Sequence, residues 1–291
     1  MDLRRPLLVG AGALLCLVAG LPGALGAERA AVPAQVQSAA VASDVGAVPP
    51  ADVMLPDSVT VPTTRSYEGE PRPFVLHVPD GLPAPAPLVV ALHAHSQKPD
   101  AIRAYSRLEA LADEQGFVVA FPEGASGSWN AGGCCFPGSV VGVDDVAFLD
   151  EVVAISRTKA LIDPARIYVT GGSNGAMMAL RYACERSETV AAVAVVAGPL
   201  LAPCAPILPV PVLVLHGAGD SIVPLNGGRN EKLDVTFPPV DSSLEPFRRA
   251  GGEVRLQVVP RAGHHWMTRD EHGVDATRTI WSWLRDHPRV R

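Results

Sequence analysis

Arg166-Ile167-Tyr168-Val169-Thr170-Gly171-Gly172-Ser173-Asn174-Gly175-Ala176-Met177-Met178 is the stretch that decides the architecture. Residues 166–170 read as a strand and residues 174–185 as a helix, and Gly171-x-Ser173-x-Gly175 joins them with no loop between. So sharp a turn brings strand and helix nearly into contact two positions before and two positions after the serine. Only glycine or alanine fits at those two points. Ser173 is then expected in a strained backbone conformation, its hydroxyl projecting above the sheet edge as a nucleophile. A glycine-rich turn that happens to contain serine is the plainer alternative. The strand and helix on either side favour the nucleophile.

Outward from the turn, apolar runs of strand length alternate with helical patterns. Towards the N-terminus lie strands at 74–78, 88–93 and 117–121, with helices expected at 101–115 and 145–159. Towards the C-terminus lie an apolar run at 190–197, strands at 212–216 and 254–259, and a closing helix at 276–286. Ser242 and Glu245 have capping-box spacing for a further helix reaching Arg249, although Pro246 falls in its first turns. Strands that are apolar throughout need cover on both faces. The expected fold is therefore α/β, a mostly parallel central sheet with helices on both faces. In such a sheet the loops after the strand C-termini build the active site.

A serine hydroxyl needs a base within hydrogen-bond reach, and the base needs a partner that orients it. On this architecture the acid precedes the histidine, each in a loop after a strand. The strand at 212–216 leads to Gly217-Ala218-Gly219-Asp220, and the strand at 254–259 leads to Arg261-Ala262-Gly263-His264-His265-Trp266. Asp220 is the expected acid, with Asp234 and Asp241 in reserve because neither directly follows a strand. Of the adjacent histidines, His264 is the expected base because Gly263 presents it on a tight turn, and His265 falls to the rim or to packing. An oxyanion hole needs two backbone N–H donors. Asn174 supplies one by its place after the serine. The loop after residues 88–93 supplies the other from Ala94 or His95, with His95 preferred. Trp129 and Trp266 are candidate substrate-binding residues. Asp144 and Asp145 precede a helix and suit capping, and Met177 and Met178 suit the core.

Several further motifs occur in a fixed order. They are Leu92-His93-Ala94-His95-Ser96-Gln97, Ser128-Trp129-Asn130 followed by Cys134-Cys135, Val143-Asp144-Asp145-Val146, Gly172-Ser173-Asn174-Gly175-Ala176-Met177-Met178, His216-Gly217-Ala218-Gly219-Asp220 with Val223-Pro224, and Gly263-His264-His265-Trp266. Together they resemble the polyhydroxybutyrate depolymerase and feruloyl esterase family, most of all its LpqC-like secreted esterases, over most of residues 65–291. The resemblance implies an α/β-hydrolase fold and a serine esterase acting on feruloyl or acetyl esters of the plant cell wall or on hydroxyalkanoate polyesters. Three positions depart from the family pattern. Ala94 replaces a usual glycine, which costs on the order of 1 kcal/mol if the backbone there is left-handed. Ala176 stands where a second glycine often follows the serine turn, and Met267 where proline is common.

The chain has 291 residues, 48% of them hydrophobic and 19% charged, with a formal net charge of −6. No basic block marks a nucleic-acid partner. Residues 1–26 read as a secretion signal: Arg4 and Arg5, an apolar run at 7–21, then small residues at a cleavage point after Gly26. A retained membrane helix is the rival, opposed by Pro22-Gly23 and by the lack of a charged stop. Leu15 before Cys16 argues against lipid attachment. The Ala- and Pro-rich stretch at 27–64 reads as a linker or tail, leaving a catalytic domain at 65–291 and no stable membrane insertion after signal removal. Cys134, Cys135, Cys184 and Cys204 suggest disulfides in an oxidising compartment. A bridge between neighbours would strain the peptide, so each of Cys134 and Cys135 is expected to pair with one of Cys184 and Cys204.

The expected activity is thus that of a secreted, cofactor-free serine esterase acting on a small or oligomeric ester. Two alternatives come from other classes. One is a metal-dependent hydrolase built on the His93/His95 pair. The other is a catalytically silent secreted binding protein of the same fold.

Overall fold

A computed structural model describes residues 59–290 apart from 64, 69 and 83. The expected signal at 1–26 and most of the expected linker lie outside the described residues. The last part of that linker is ordered into the sheet as β1 (Val59–Val61), antiparallel to β2 (Phe74–His77). The other strands of the main sheet are β3 (Ala86–Leu92), β4 (Val118–Pro122), β5 (Ile162–Gly172), β6 (Ala192–Val196), β7 (Val212–Gly217) and β8 (Val254–Val259). Their spatial order is β1-β2-β4-β3-β5-β6-β7-β8. β2 and β4 are antiparallel, and every junction from β4 to β8 is parallel. This is the expected α/β sheet, with β5 at its centre.

Alternate side chains of each strand enter opposite layers, as the pleat requires. Leu88, Val90 and Leu92 of β3 pack with Phe148 and Leu149 of α3 (Asp145–Lys159) and with Met177 and Met178 of α4 (Asn174–Glu185). Val89 and Ala91 pack on the other face with Ile102, Leu108 and Ile280. Those three belong to α1 (Pro99–Ser106), α2 (Leu108–Gln115) and α5 (Ala276–Asp286). A sheet buried on both faces explains why its strands read as unbroken apolar runs.

Several local expectations are corrected. The single helix over 101–115 is two helices, broken at Arg107, which takes the left-handed conformation at φ 53°. The helix over 242–249 is two short turns, Val240–Ser243 and Glu245–Arg249. Ser242 donates its hydroxyl to Pro239 O rather than capping, and Pro246 sits in the first turn of the second piece, where its missing N–H is not needed. The cysteine pairing also differs. Cys184 bonds Cys204, with Cα atoms 5.9 Å apart, and Cys134 bonds its neighbour Cys135, Cα atoms 3.0 Å apart. The peptide between the neighbours is cis. Among the described residues no helix is long and apolar enough to cross a membrane.

Candidate active site

β5 ends at Gly172 and α4 begins at Asn174, leaving Ser173 alone between them at φ 54°, ψ −121°. The tightness of this turn is set by backbone contact. A Cβ on Gly175 would lie 2.2 Å from Leu92 O and 2.4 Å from His93 O, so even alanine is excluded there. The Ser173 N–H is fixed by Val196 O of the neighbouring strand at 2.9 Å.

The acid and base loops leave the ends of β7 and β8, which pair in register up to Gly217 and Val259. The two loops are seated on each other. Gly219 N–H donates to Ala262 O at 2.9 Å, and a Cβ on Gly217 would meet Ala262 O and Gly263 O at 2.4 Å. This contact delivers His264 to the serine. His264 Nε2 lies 2.8 Å from Ser173 Oγ, and His264 Nδ1 lies 2.7 Å from Asp220 Oδ2. With Nδ1–H directed at the carboxylate, Nε2 presents its lone pair to the hydroxyl. Asp220 Oδ1 accepts the N–H groups of Ile222 at 3.0 Å and Val223 at 2.8 Å, which holds the carboxylate in place. All three side chains are nearly buried. The structure therefore brings together Ser173, Asp220 and His264. The reserve carboxylates face elsewhere: Asp234 pairs with Arg229 and Asp241 with Arg248.

His216 was not singled out as a site residue, yet it completes the acid loop. It is fully buried at the end of β7, donates from Nε2 to Val223 O at 2.9 Å, and stands 3.4 Å from Asp220 Oδ2. Burial lowers its pKa and keeps the ring neutral. Its signals in the sequence are a polar residue closing an otherwise apolar strand and its place at the head of the motif that ends at Asp220.

On the oxyanion side, Asn174 opens α4, where backbone N–H groups have no acceptor within the helix. Its side chain ties down the neighbouring loop. Oδ1 accepts Trp129 N–H at 2.8 Å, while Nδ2 donates to Trp129 O at 3.1 Å and Cys134 O at 3.2 Å. On the loop after β3, Ala94 N–H donates to Gln97 Oε1 at 3.3 Å. Ala94 is not left-handed, so replacement of glycine there carries no backbone cost; Ser96, at φ 58°, makes the turn instead.

The two tryptophans are corrected as cleft residues. Trp129 is fully buried: its Nε1–H donates to His93 O at 2.9 Å and its ring packs on His93 and Phe148. Proximity to the motifs reflected a scaffold role. Trp266 donates to Thr277 Oγ1 at 2.9 Å and packs on Tyr105. It lines a cavity of 440 Å³ whose walls include none of Ser173, Asp220 and His264.

The loop under Trp129 is anchored by a buried ion pair that sequence did not reveal. Arg72 Nη2 lies 2.6 Å from Asp145 Oδ1, and Asp145 Oδ2 accepts Asn130 N–H at 2.6 Å. Burial pulls both side chains towards their neutral forms, and the direct contact opposes it. The guanidinium also stacks 3.8 Å from the Phe148 ring centroid. Asp144 alone takes the expected capping role, accepting Ala147 N–H at 3.1 Å.

His93, the first histidine of the alternative metal-dependent reading, has both ring nitrogens engaged: Nδ1–H donates to Ala94 O at 2.8 Å and Nε2 accepts Gly124 N–H at 2.9 Å. Burial pushes its pKa down to about 4. Among the described residues no three His, Cys, Asp or Glu side chains converge as metal ligands.

Comparison with known proteins places this geometry in a family. Residues 73–223, more than half of the chain, match the model of the family described as esterase PHB depolymerase. The chain is 33% identical over 218 residues to a putative esterase, NocK, of Nocardia uniformis subsp. tsuyamanensis, a match covering 67% of this chain and 61% of the relative. It is 29% identical over 196 residues to feruloyl esterase B of Piromyces equi, covering 62% of this chain and 36% of that one. The chain thus spans less than two thirds of either relative. Among solved structures, a thermostable esterase superposes with a TM-score of 0.58 at 19% identity, over 81% of this chain and 64% of that one, a likeness of fold. The matched segment runs from β2 through the serine turn to the Asp220 loop, and on that ground the chain belongs to the esterase PHB depolymerase family.

Proposed function

We propose that the protein is a secreted serine hydrolase of carboxylic esters that works through an acyl-enzyme. One observation carries this: the unbroken path of hydrogen bonds from Ser173 Oγ through His264 to Asp220, assembled from three loops at one edge of the sheet. Ser173 Oγ attacks the ester carbonyl while His264 Nε2 takes its proton. Asp220 holds the ring and stabilises its positive form. The N–H groups of Asn174 and His95 receive the oxyanion. His264 then protonates the leaving alcohol, and water activated by the same nitrogen releases the acid. Family membership supports ester chemistry, and the two engaged nitrogens of His93 give the metal-dependent alternative no support.

The proposed substrates are small or soluble ester groups, feruloyl or acetyl esters of plant-wall polysaccharide foremost, with hydroxyalkanoate oligomers next. The low aromatic content of 5% and the burial of Trp129 and Trp266 favour soluble esters over adsorption to a solid polymer.

Ser173→Ala should abolish hydrolysis of p-nitrophenyl acetate while leaving the circular dichroism spectrum intact. Turnover by that variant at the wild-type rate would remove the mechanism. Failure of the wild type to become phosphonylated at Ser173 by a serine-directed phosphonate would leave the silent binding protein as the better account. Methyl ferulate, acetylated xylan and polyhydroxybutyrate assayed side by side decide the substrate class.

A further inference from the structure

Residue 265, which the proposed chemistry does not use, faces a second histidine. His265 Nε2 and His272 Nε2 are 2.7 Å apart, the rings tilted at 41° with centroids 4.4 Å apart. His272 closes a short helical turn, Arg269–His272, so the pair clips that turn to the loop carrying His264. Both residues are partly exposed.

We propose that His265 and His272 form a two-histidine site for a divalent transition-metal ion of the zinc class, separate from the serine centre. Imidazole nitrogens suit such ions, with bond lengths of about 2.0–2.1 Å. Two such bonds at a tetrahedral centre place the nitrogens ~3.3 Å apart. The rings therefore need to part by ~0.6 Å, which one short loop and one short turn permit. The two Nε2 atoms face each other across a hydrogen bond that the ion would replace, and water would complete the coordination.

The surroundings are arranged for the exchange. His272 Nδ1 now accepts Thr268 N–H at 3.3 Å, so its proton resides on Nε2 and is donated to His265. Glu271 Oε2 stands 3.8 Å from that same Nδ1 and is held by Thr268 Oγ1 at 3.1 Å. For Nε2 to ligate the ion, the His272 proton shifts to Nδ1, the bond from Thr268 N–H to that nitrogen is given up, and Nδ1–H turns to Glu271 Oε2 as its acceptor, giving the carboxylate–histidine–metal arrangement that supports many bound ions. No proton is lost from the chain in this step.

The test is calorimetric titration of the tag-free, chelator-treated full chain with zinc chloride. The wild type should take up the ion. Glu271→Gln, which spares both ligands, should weaken uptake by about tenfold, and His265→Gln and His272→Gln should each weaken it further, all with native circular dichroism. Uptake equal in the wild type and in both histidine variants would assign the ion elsewhere, for instance to His287 beside Glu253, and would overturn the proposal, as would no uptake by the wild type at millimolar zinc. The titration needs no turnover, so its outcome is independent of the esterase experiments.

Discussion

Asn174 grips Trp129 by both ends of its side-chain amide, taking the Trp129 N–H at 2.8 Å and giving an N–H to Trp129 O at 3.1 Å. The residue beside the nucleophile thus fixes the loop that carries Cys134, Cys135 and Phe136. Asn174→Ala leaves buried Trp129 groups without partners, a loss of about 2–3 kcal/mol. Urea unfolding should show that loss, and ester hydrolysis should fall although the residue 174 backbone N–H is retained.

Asp220→Asn keeps the shape of the acid but lets the His264 ring settle in the wrong tautomer. The expected loss in kcat is on the order of 10³–10⁴-fold with little change in KM. A rate within tenfold of wild type on p-nitrophenyl acetate would show that another carboxylate serves His264.

His93 makes stability depend on acidity. Its pKa is lowered from 6.5 to about 4 in the folded chain. Between those values the unfolded chain binds a proton that the folded chain refuses, so stability falls as pH drops through this window. The full contribution is present above pH 6.5, and roughly 3 kcal/mol of it is lost by pH 4. Denaturant unfolding at pH 7 and pH 4 measures this. His93→Gln, less stable at neutral pH, should lose less over the same interval.

Much of this site is legible in sequence because its demands are local. The serine turn follows from contacts within a few residues, and Asp220 and His264 each lie a few residues past a recognisable strand end. What was not legible depends on partners distant along the chain or on the conformation of a single residue. Arg72 meets Asp145 from 73 positions away. Trp129 near a functional motif looks like a cleft wall until the Phe148 and His93 rings are seen to enclose it. The pairing of Cys134 with its own neighbour is not set by spacing along the chain, and the break at Arg107 turns on a single left-handed residue that helical periodicity does not register.

Phe136 is 70% exposed on the loop that Asn174 anchors. Phe136→Ala should leave p-nitrophenyl acetate hydrolysis within twofold of wild type and weaken hydrolysis of bulkier esters such as methyl ferulate several-fold through KM, as expected when about 1 kcal/mol of apolar contact is removed. Equal effects on both substrates would place Phe136 outside the substrate path.

The close approach of main chain to main chain at Gly175 and Gly217 has a wider consequence. Nucleophile and base are located by peptide groups touching peptide groups, so their alignment does not depend on which residues decorate the mouth of the site. Exposed residues around the opening are then open to variation while the reacting atoms keep their places. A scaffold of this kind can diversify its choice of ester by surface substitution alone, and directed evolution of substrate range should begin at the rim and spare those two glycines.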